Sequence, residues 1–222
     1  MPSQVVIGLS GGMDSATLCA YYIDKGCKVL PISFSYGSKH NFYERIAAEK
    51  LAKFYGLIIK EIDLNFIGQL FKSNLLKTGG EIPQGYYTDA NMSQTVVPGR
   101  NLIFISIMTG YAWSEEADII AIGVHAGDHF IYEDCRAGFV AAMNAAVIQG
   151  SGDRVRLEAP FQYLNKSQIL NIGYHCTPQV PYHLTRTCYK DQELSCGKCG
   201  SCQERLEAFI NCGSKDPINY ER

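Results

Sequence analysis

The sequence lacks features that mark several functional classes. It has no run of about 18 consecutive apolar residues, so we expect no membrane-spanning helix and no membrane partner. Lysine and arginine total 20 against 22 aspartate and glutamate residues, a formal net charge of -2, which predicts no stable nucleic-acid partner. The opening residues, MPSQVVIGLSGG, carry no basic segment ahead of their apolar run. They indicate a buried strand of a cytoplasmic protein and not an export signal.

Proline is sparse and glycine is plentiful, with 8 and 21 residues, a balance typical of strands and helices joined by tight turns. The 222 residues are 46% hydrophobic, which is enough for one domain with a substantial core. Polar sequence containing proline and cysteine begins near residue 175. We therefore predict a main domain over 1–174 and a small C-terminal region over 175–222 that packs on it.

Apolar residues follow a pattern that alternates between short strands and helices. Strands are predicted over 4–9, 28–34, 57–64, 119–124 and 155–157, and helices over 16–25, 42–55, 102–116, 134–149 and 166–172, with 102–116 buried. Segment 65–99, which contains GGEIPQGYY, is irregular, and so long a loop is usually functional or mobile. The alternation predicts an α/β fold with an open, mostly parallel sheet and helices on both faces.

A polar string, SGGMDS at residues 10–15, joins the first predicted strand to the first predicted helix. In an open α/β sheet, ligands bind beyond the carboxyl ends of the strands, where this string lies. Its glycines let backbone N–H groups approach an anion, the Ser10 and Ser15 hydroxyls add donors, and the helix dipole favours negative charge. A glycine turn can be a mere connection, but the full string indicates a phosphate-binding loop.

The string SGGxDS after a strand resembles the pyrophosphatase loop of the N-type ATP pyrophosphatases, which include adenylating ligases and tRNA thiolases. It is not a Walker A loop, because no GxxxxGK[ST] occurs. The resemblance implies a fold like that of the adenine nucleotide alpha hydrolases. It also implies that the loop grips the leaving pyrophosphate of ATP while a substrate oxygen attacks the α-phosphate. The implied ATP-binding residues are Gly8, Leu9, Ser10, Gly11, Gly12, Met13, Asp14 and Ser15.

Two further groups are expected to neutralise the phosphate charge. Lys166 opens a predicted helix after a strand and resembles the downstream lysine with which this family contacts phosphate, although an ordinary surface lysine is the alternative. Mg²⁺ that accompanies ATP is the other, with Asp14 as its candidate ligand. Asp14 would suit the N-cap of the following helix equally well.

Four of the nine cysteines lie close together in the C-terminal region. They are Cys188, Cys196, Cys199 and Cys202. The two-residue spacing lets successive thiolates reach one metal ion, and Gly197 and Gly200 permit the turns. Such a cluster without an export signal is more typical of a metal site than of disulfides. Four thiolates predict a closed structural Zn²⁺ site, with an iron–sulfur cluster and free redox thiols as the alternatives.

Further strings extend the resemblance along nearly the whole chain. They are FSYGSKH at 34–40, VPGRN at 97–101, GVH at 123–125, Asp128, YEDCR at 132–136 and TCY at 187–189. With SGGMDS and the cysteines, they resemble the 7-cyano-7-deazaguanine synthase family of the queuosine pathway, from about residue 5 to residue 209.

That resemblance implies a carbon–nitrogen ligase that converts 7-carboxy-7-deazaguanine and ammonia to 7-cyano-7-deazaguanine. The carboxylate attacks ATP to give an acyl-adenylate and pyrophosphate, ammonia displaces AMP to form an amide, and a second activation yields the nitrile. Adenylation is chemically required because neither a carboxylate nor an amide oxygen is a leaving group near neutral pH. The family also implies a homodimer, with segment 65–99 as a candidate interface.

Three alternatives stay open. A related enzyme would stop at the amide. Another adenylating enzyme, such as a tRNA thiolase or an amidating NAD or GMP synthetase, would share the loop. Against these stand the lack of a basic surplus for tRNA, the lack of room for a glutaminase domain, and thiolates that zinc makes unavailable as sulfur carriers. A zinc-knuckle module that binds nucleic acid would leave SGGMDS unexplained.

The matching strings supply candidate residues for substrate binding. Arg100 has a rigid fork of donors suited to a carboxylate or phosphate, and Asn101 is a candidate to orient it. Asp128 and Asp134 are candidates to accept hydrogen bonds from the guanine-like edge of the substrate. Arg136 is a further candidate, or else a structural partner of one of these two carboxylates.

The string FSYGSKH supplies two more candidates, Tyr36 and His40. Ammonium must lose a proton before its nitrogen attacks, and His40 is a candidate general base for that step. A lone histidine is more often a hydrogen-bonded structural group, which is the alternative. His125 and His129 are left without a role.

Overall fold

A parallel five-stranded sheet forms the centre of the molecule and confirms the predicted fold class. The computed structural model describes residues 2–85 and 90–221. The strands are β1 (Gln4–Gly8), β2 (Lys28–Ser35), β3 (Lys60–Asp63), β4 (Ile119–Ala121) and β5 (Arg156–Glu158). All neighbours pair in parallel in the order β3-β2-β1-β4-β5. The order reverses at β1, so a crevice is expected beyond its carboxyl end.

Helices cover both faces of the sheet, as predicted. Within the described residues they are α1 (Met13–Asp24), α2 (Asn41–Phe54), α3 (Ile67–Leu70), α4 (Arg100–Ser114), α5 (Ala137–Ser151), α6 (Lys166–His175) and α7 (Gly200–Asn211). Helices α4 and α5 pack on one face, and α1, α2, α6 and α7 pack on the other. None of these helices combines the length and apolar character needed to span a bilayer.

Strand β1 is buried on both faces because its apolar residues alternate between two cores. Val5 and Ile7 pack with α1 and α6, whereas Val6 packs with α4 and α5. None of the three has any exposed surface. Removing such a side chain from water contributes about 1.5–3 kcal/mol. This burial holds β1 in the middle of the sheet and therefore places the loop that follows it at the crevice.

Helix α4 is less buried than the sequence predicts, and much of α5 is exposed as well. The prediction of a buried helix over 102–116 is wrong for the outer face of α4, where Leu102 and Trp113 are 48% and 46% exposed. Helix α5 is mostly apolar, yet within it only Val147 and Ser151 are buried. Apolar composition shows that a helix face avoids water, but it does not show which partner covers that face.

Segment 65–99 is largely irregular, as predicted, but part of it builds a small core. Besides α3 it contains a short 3₁₀ helix at Ala90–Thr95. Leu75 and Leu76 are fully buried and pack with Ile67. The two tyrosines of GGEIPQGYY lie outside the described residues.

Helix α7 attaches the C-terminal region to the sheet. Its residues Ala208 and Phe209 pack in the same core as β1. Arg205 is fully buried and donates to both carboxylate oxygens of Asp216, at 2.8 and 2.9 Å. The region that carries the four cysteines is therefore in direct contact with the layer that carries the loop at residues 10–15.

Candidate active site

The loop at residues 10–15 is a compact turn held together by its serine hydroxyls. Ser10 Oγ and Ser15 Oγ are 3.1 Å apart, and Ser10 N donates to Ser15 Oγ at 3.2 Å. Ser15 Oγ also donates to the carbonyl of Gly12 at 3.1 Å. Because helix α1 begins at Met13, these hydroxyls cluster beside the positive end of its dipole. The loop thus groups its donors where an anion is stabilised.

The loop residues differ in whether they offer a ligand their side chain or only their backbone. Leu9 and Met13 have no exposed surface and belong to the core, so their contribution to a ligand is restricted to backbone groups. Gly12 is the N-cap of α1, and Asp14 lies in the first turn of the helix. The alternative that Asp14 is the N-cap is therefore wrong.

A cavity of about 260 Å³ opens next to this loop, beyond the carboxyl ends of β1, β2 and β4. It brings together most of the residues that the sequence predicts for the site: Gly8, Leu9, Ser10, Gly12, Asp14, Ser15, Tyr36, His40, Arg100, Asn101, Asp128 and Lys166. Three other charged residues, Glu44, Arg45 and Arg186, also line it. The phosphate loop and the proposed substrate residues therefore share one space.

Lys166 lies in this cavity but is held by carboxylates. It is the first residue of α6, after an Asn165 cap whose side chain accepts from Gln168 N at 2.9 Å. Its Nζ lies 3.3 Å from Asp14 Oδ2 and 2.5 Å from Glu204 Oε2. Burial by itself would lower the pKa of Lys166, but Asp14 and Glu204 raise that pKa above its usual range. Lys166 therefore stays a cation beside the loop, and the reading as an ordinary surface lysine is wrong.

His125 lies among several carboxylates, including Asp14 and Glu204, and is 1% exposed. Its Nδ1 accepts from Gly127 N at 3.1 Å. Its Nε2 lies 3.6 Å from Asp128 Oδ2 and 3.8 Å from Asp14 Oδ2. Since Nδ1 is the acceptor, Nε2 of the neutral ring carries the hydrogen and faces the carboxylates. His125 therefore helps to hold Asp14 and Asp128 in place.

On the other side of the cavity two arginines face a buried histidine and a carboxyl group. The cationic groups of Arg100 and Arg186 act on both His40 and Glu44. Burial, with a further contribution from the two arginines, lowers the pKa of His40 to about 3. Burial raises the pKa of Glu44 to about 8, although the same arginines oppose this. This wall attracts anions and keeps His40 neutral.

Four predicted site residues are not among the described residues that line the cavity: Gly11 and Met13 of the loop, and the substrate candidates Asp134 and Arg136. Asp134 accepts from the backbone N–H of Asn101 at 2.9 Å, so it holds the start of α4. Arg136 is exposed, donates to the carbonyl of His129 at 3.0 Å and lies 4.0 Å from Glu133. The structure therefore places Asp134 behind Asn101 and Arg136 at the surface, where its ion-pair partner is Glu133. A local string shows which residues are neighbours in sequence, but not which of them face the ligand.

The four cysteine sulfurs form one buried cluster, within 4.8 Å of one another. Cys196 Sγ and Cys202 Sγ are 4.0 Å apart. Backbone N–H groups of Cys196 and Lys190 donate to Cys188 Sγ at 3.3 and 3.4 Å. Zn–S bonds of about 2.3 Å separate the corners of a tetrahedron by about 3.8 Å, so the cluster fits a four-coordinate zinc ion.

Comparison with known proteins identifies relatives of this chain. Residues 4–213 match the family described as "Queuosine biosynthesis protein QueC". A protein of Caldicellulosiruptor saccharolyticus named 7-cyano-7-deazaguanine synthase is 46% identical over 98% of this chain and 96% of its own length. One of the same name from Marinomonas sp. is 42% identical over the whole of both chains. The chain belongs to the QueC family.

A solved structure agrees with this placement at the level of fold. The NMN synthetase of Francisella tularensis superposes with a TM-score of 0.52 over 95% of this chain and 77% of its own, at 16% identity. An identity this low supports the shared α/β fold and nothing more specific.

Sequence reasoning missed four residues at this QueC family site: Glu44, Arg45 and Arg186, which line the cavity, and Glu204, which lies next to it. Each is charged and lies outside the strings that carry the resemblance. Arg186 N donates to the Gly11 carbonyl at 2.7 Å, and Glu204 binds Lys166. The one local signal for Arg186 was its charge directly before TCY. Its approach to the loop could not be predicted, because it depends on a contact between residues more than 170 positions apart.

Proposed function

We propose that this chain is an ATP-dependent carbon–nitrogen ligase that makes 7-cyano-7-deazaguanine from 7-carboxy-7-deazaguanine and ammonia. Its curated relatives in the QueC family carry the name of that product's synthase. The observation that carries the proposal is one cavity in which the loop at 10–15 faces Arg100 and Arg186. Such a cavity has donors for a pyrophosphate and, opposite them, cations for a carboxylate.

In the proposed reaction, a carboxylate oxygen of the substrate attacks the α-phosphorus of ATP, and the bond to pyrophosphate breaks. Ser10, Ser15 and Lys166 stabilise the charge that develops on the departing pyrophosphate. Ammonia then attacks the acyl carbon, and AMP leaves with the electron pair of the broken C–O bond. The amide oxygen then attacks the α-phosphorus of a second ATP, pyrophosphate leaves again, and loss of AMP and of the two N–H protons gives the nitrile.

The substrate ring is assigned to the part of the cavity between Arg100 and Asp128. Asp128 lines the cavity, where its carboxylate is placed to accept from the N–H groups of a guanine-like edge. Tyr36 is 5% exposed and lies at the same wall, where its ring limits the space. Asp134 and Arg136 support the site through Asn101 and the His129 segment and do not touch the ring.

Two metal ions belong to the proposal. The Oδ1 atom of Asp14 is buried and has no hydrogen-bond partner among the described residues, which suits a ligand of the Mg²⁺ that accompanies ATP. The four cysteines hold Zn²⁺, which supplies no vacant position for a reactant and stabilises the fold. Reduced thiols and ATP are both available in the cytoplasm, where we place the reaction.

The direct test is to incubate the protein with ATP, Mg²⁺, ammonium and 7-carboxy-7-deazaguanine and to identify the products by mass. We expect the nitrile, AMP and pyrophosphate. A Ser10→Ala/Ser15→Ala variant is expected to lose turnover and ATP affinity. Ser3→Ala, which removes an exposed hydroxyl that bonds to Asp118, is expected to change neither. Unchanged carboxylate with intact ATP would refute the proposal, and accumulated amide would restrict it to the first half.

The proposal includes a homodimer, formed through the outer faces of α4 and α5. Helix α5 presents Ala141, Ala142, Ala145 and Ala146 to solvent, and α4 adds Leu102 and Trp113. Small apolar side chains allow close approach of a second copy, and a closed dimer uses the same patch on both chains. This replaces segment 65–99 as the favoured interface.

Light scattering tests the oligomeric state. We expect a dimer mass for the unaltered chain and a monomer for Ala145→Glu, because two carboxylates would be buried without partners. Asn171→Glu, which adds the same charge on the exposed side of α6, is the matched control and is expected to stay dimeric. A monomer mass for the unaltered chain would contradict the assignment.

A further inference from the structure

Glu44 is a carboxyl group placed inside the reaction cavity. It lies in the first turn of α2, and its side chain is 23% exposed. It lines the same space as Ser10, Ser15 and Arg100. Its backbone carbonyl packs against Gly11, so its helix touches the phosphate loop directly. The carboxyl group therefore stands beside the place where the loop positions the phosphates.

Three groups that accept hydrogen bonds, Glu44, His40 and Tyr36, lie close together on the wall that also carries Arg100 and Arg186. Its Oε2 lies 3.4 Å from Nε2 of His40, and the same His40 nitrogen lies 3.4 Å from the hydroxyl of Tyr36. A carboxylate, a neutral imidazole and a phenol oxygen are all groups that accept hydrogen bonds from an ammonium ion. The three groups are contributed by the end of β2 and the start of α2, which face the loop.

We propose that Glu44 is the general base that takes a proton from ammonium before the nitrogen attacks the acyl-adenylate. The inference rests on the proposed function, because that reaction needs ammonia, which is mostly ammonium at neutral pH. His40 and Tyr36 then act as positioning residues that hold the ammonium ion beside the carboxylate.

The proton and electron balance is complete without a further reactant. The Glu44 carboxylate forms an O–H bond, and one N–H bond of ammonium breaks and leaves its pair on nitrogen. That pair forms the C–N bond to the acyl carbon, and AMP departs with the pair of the C–O bond. The nitrogen then releases one more proton to solvent and becomes the amide nitrogen.

Titratable and charged groups from several elements surround Glu44. They are Tyr36 after β2, His40 at the start of α2, Arg45 on α2, Arg100 at the start of α4 and Arg186 from the C-terminal region. Burial raises the pKa of Glu44 to about 8, and the two arginines Arg100 and Arg186 hold it from rising further. A base is most effective when its pKa lies near the working pH, because it is then both partly ionised and basic.

His40 is poorly suited to the same step. Burial and the two neighbouring arginines lower its pKa to about 3, so the ring is neutral at neutral pH and accepts a second proton with difficulty. The role of general base that the sequence suggested for His40 is therefore transferred to its neighbour Glu44, 3.4 Å away.

The test separates activation of the carboxylate from capture of ammonia. Exchange of labelled pyrophosphate into ATP, measured with 7-carboxy-7-deazaguanine and without ammonium, reports adenylation alone. For Glu44→Gln we expect this exchange to persist, while kcat/KM for ammonium falls by about 10²-fold or more. The unaltered chain should show a rise in kcat/KM for ammonium as pH passes about 8, and the variant should lack that component.

Hydroxylamine supplies a second readout that a structural role would not produce. It is a neutral nucleophile near pH 7 and needs no base to expose its lone pair. We expect Glu44→Gln to form the hydroxamate from the acyl-adenylate nearly as fast as the unaltered chain does. Glu49→Gln, on the exposed side of the same helix, is the matched control and is expected to retain all three activities.

Each outcome of these measurements either supports or overturns the role of Glu44 as general base. Retained exchange and hydroxamate formation with loss of the ammonium reaction supports the role of Glu44. An unaltered ammonium reaction overturns it, and so does a parallel loss of all three activities, which would make Glu44 a binding or folding residue. If the unaltered chain shows no exchange with 7-carboxy-7-deazaguanine, the proposed function fails and the role of Glu44 fails with it.

Discussion

At the residue scale, Gly11 shows how closely the loop is fitted to its surroundings. Its φ of 91° lies in the region that side chains disfavour. A Cβ there would stand 2.5 Å from the Glu44 carbonyl oxygen and 2.9 Å from Ala48 N. Both partners are backbone atoms of α2, so the helix or the loop would have to move. Gly11 thus sets the distance between the phosphate loop and the wall that carries Glu44.

Gly11→Ala is expected to lower the free energy of unfolding by more than the roughly 1 kcal/mol that a left-handed conformation costs a side chain, and to weaken ATP binding. Gly56→Ala is the control, because it has a φ of 67° but no atom within 4 Å of its Cβ. Urea denaturation and ATP titration measure both effects. Equal losses in the two variants would show that the contact with α2 is unimportant.

Glu44 gives a second prediction at this scale, for stability against pH. Its pKa is 4.5 as an isolated group and about 8 when folded, so the folded state holds a proton that the unfolded state has released. Stability from this group therefore falls as pH rises from 4.5 to about 8. Glu44→Gln has no titrating group at this position. Its free energy of unfolding, relative to that of the unaltered chain, should therefore increase as pH rises from 4.5 to about 8. Urea denaturation at several pH values tests this, and a constant difference would contradict it.

At the scale of elements, one buried guanidinium joins α7 to segment 182–187 and to Asp216. Arg205 donates to Asp216, to the hydroxyls of Thr185 and Thr187 at 2.6 and 3.1 Å, and to the carbonyl of Tyr182 at 3.1 Å. A buried carboxylate that loses its cation is costly, because little water replaces the lost bonds.

Arg205→Met is therefore expected to cost about 3–5 kcal/mol of unfolding free energy. Arg45→Met is the comparison, because Arg45 is 42% exposed and pairs with Glu49 and Glu61 at 4.0 and 3.6 Å. Exposed pairs of this kind contribute about 0–1 kcal/mol. Chemical denaturation of both variants measures the difference. Similar small losses would mean that α7 is held by its apolar face alone.

At the scale of the whole molecule, hydrogen bonds of Arg186 connect the cysteine cluster to the phosphate loop. Arg186 lies two residues before Cys188, its backbone N–H binds Gly11, and its side chain donates to the carbonyls of Lys190 and Glu193 at 2.9 and 2.7 Å. Loss of order around the cysteines would therefore reach the loop.

Removal of zinc with a strong chelator is expected to lower Tm and to weaken ATP binding together, because bound metal stabilises the folded region that holds Arg186. Elemental analysis should find zinc in the purified protein. Cys199→Ser should mimic the chelator, whereas Cys27→Ser, outside the cluster, should not. Visible absorbance of the iron–sulfur type, or an unchanged Tm after chelation, would contradict the assignment of zinc.

The boundary at residue 175 stays a prediction, and the structure adds detail to how the two parts meet. Phe209 of the C-terminal region lies in the core of β1, and Glu204 binds Lys166 across the junction. Because the cysteine cluster and the phosphate loop are connected in this way, the two regions are expected to lose stability together. A single thermal transition in the presence of zinc would agree with this.

The sequence by itself determined the alternation of strands and helices, the phosphate loop and the cysteine cluster, because each depends on residues close together in the chain. Residues 10–15 act through their own backbone, and Cys196, Cys199 and Cys202 share one turn and one helix start. Only the tertiary structure decided that Glu44 and Arg186 line the site, that Glu204 binds Lys166 there, and that Asp134 and Arg136 lie outside the lining. Their roles depend on which faces of distant elements meet and on how far burial shifts their pKa values, and local spacing encodes neither.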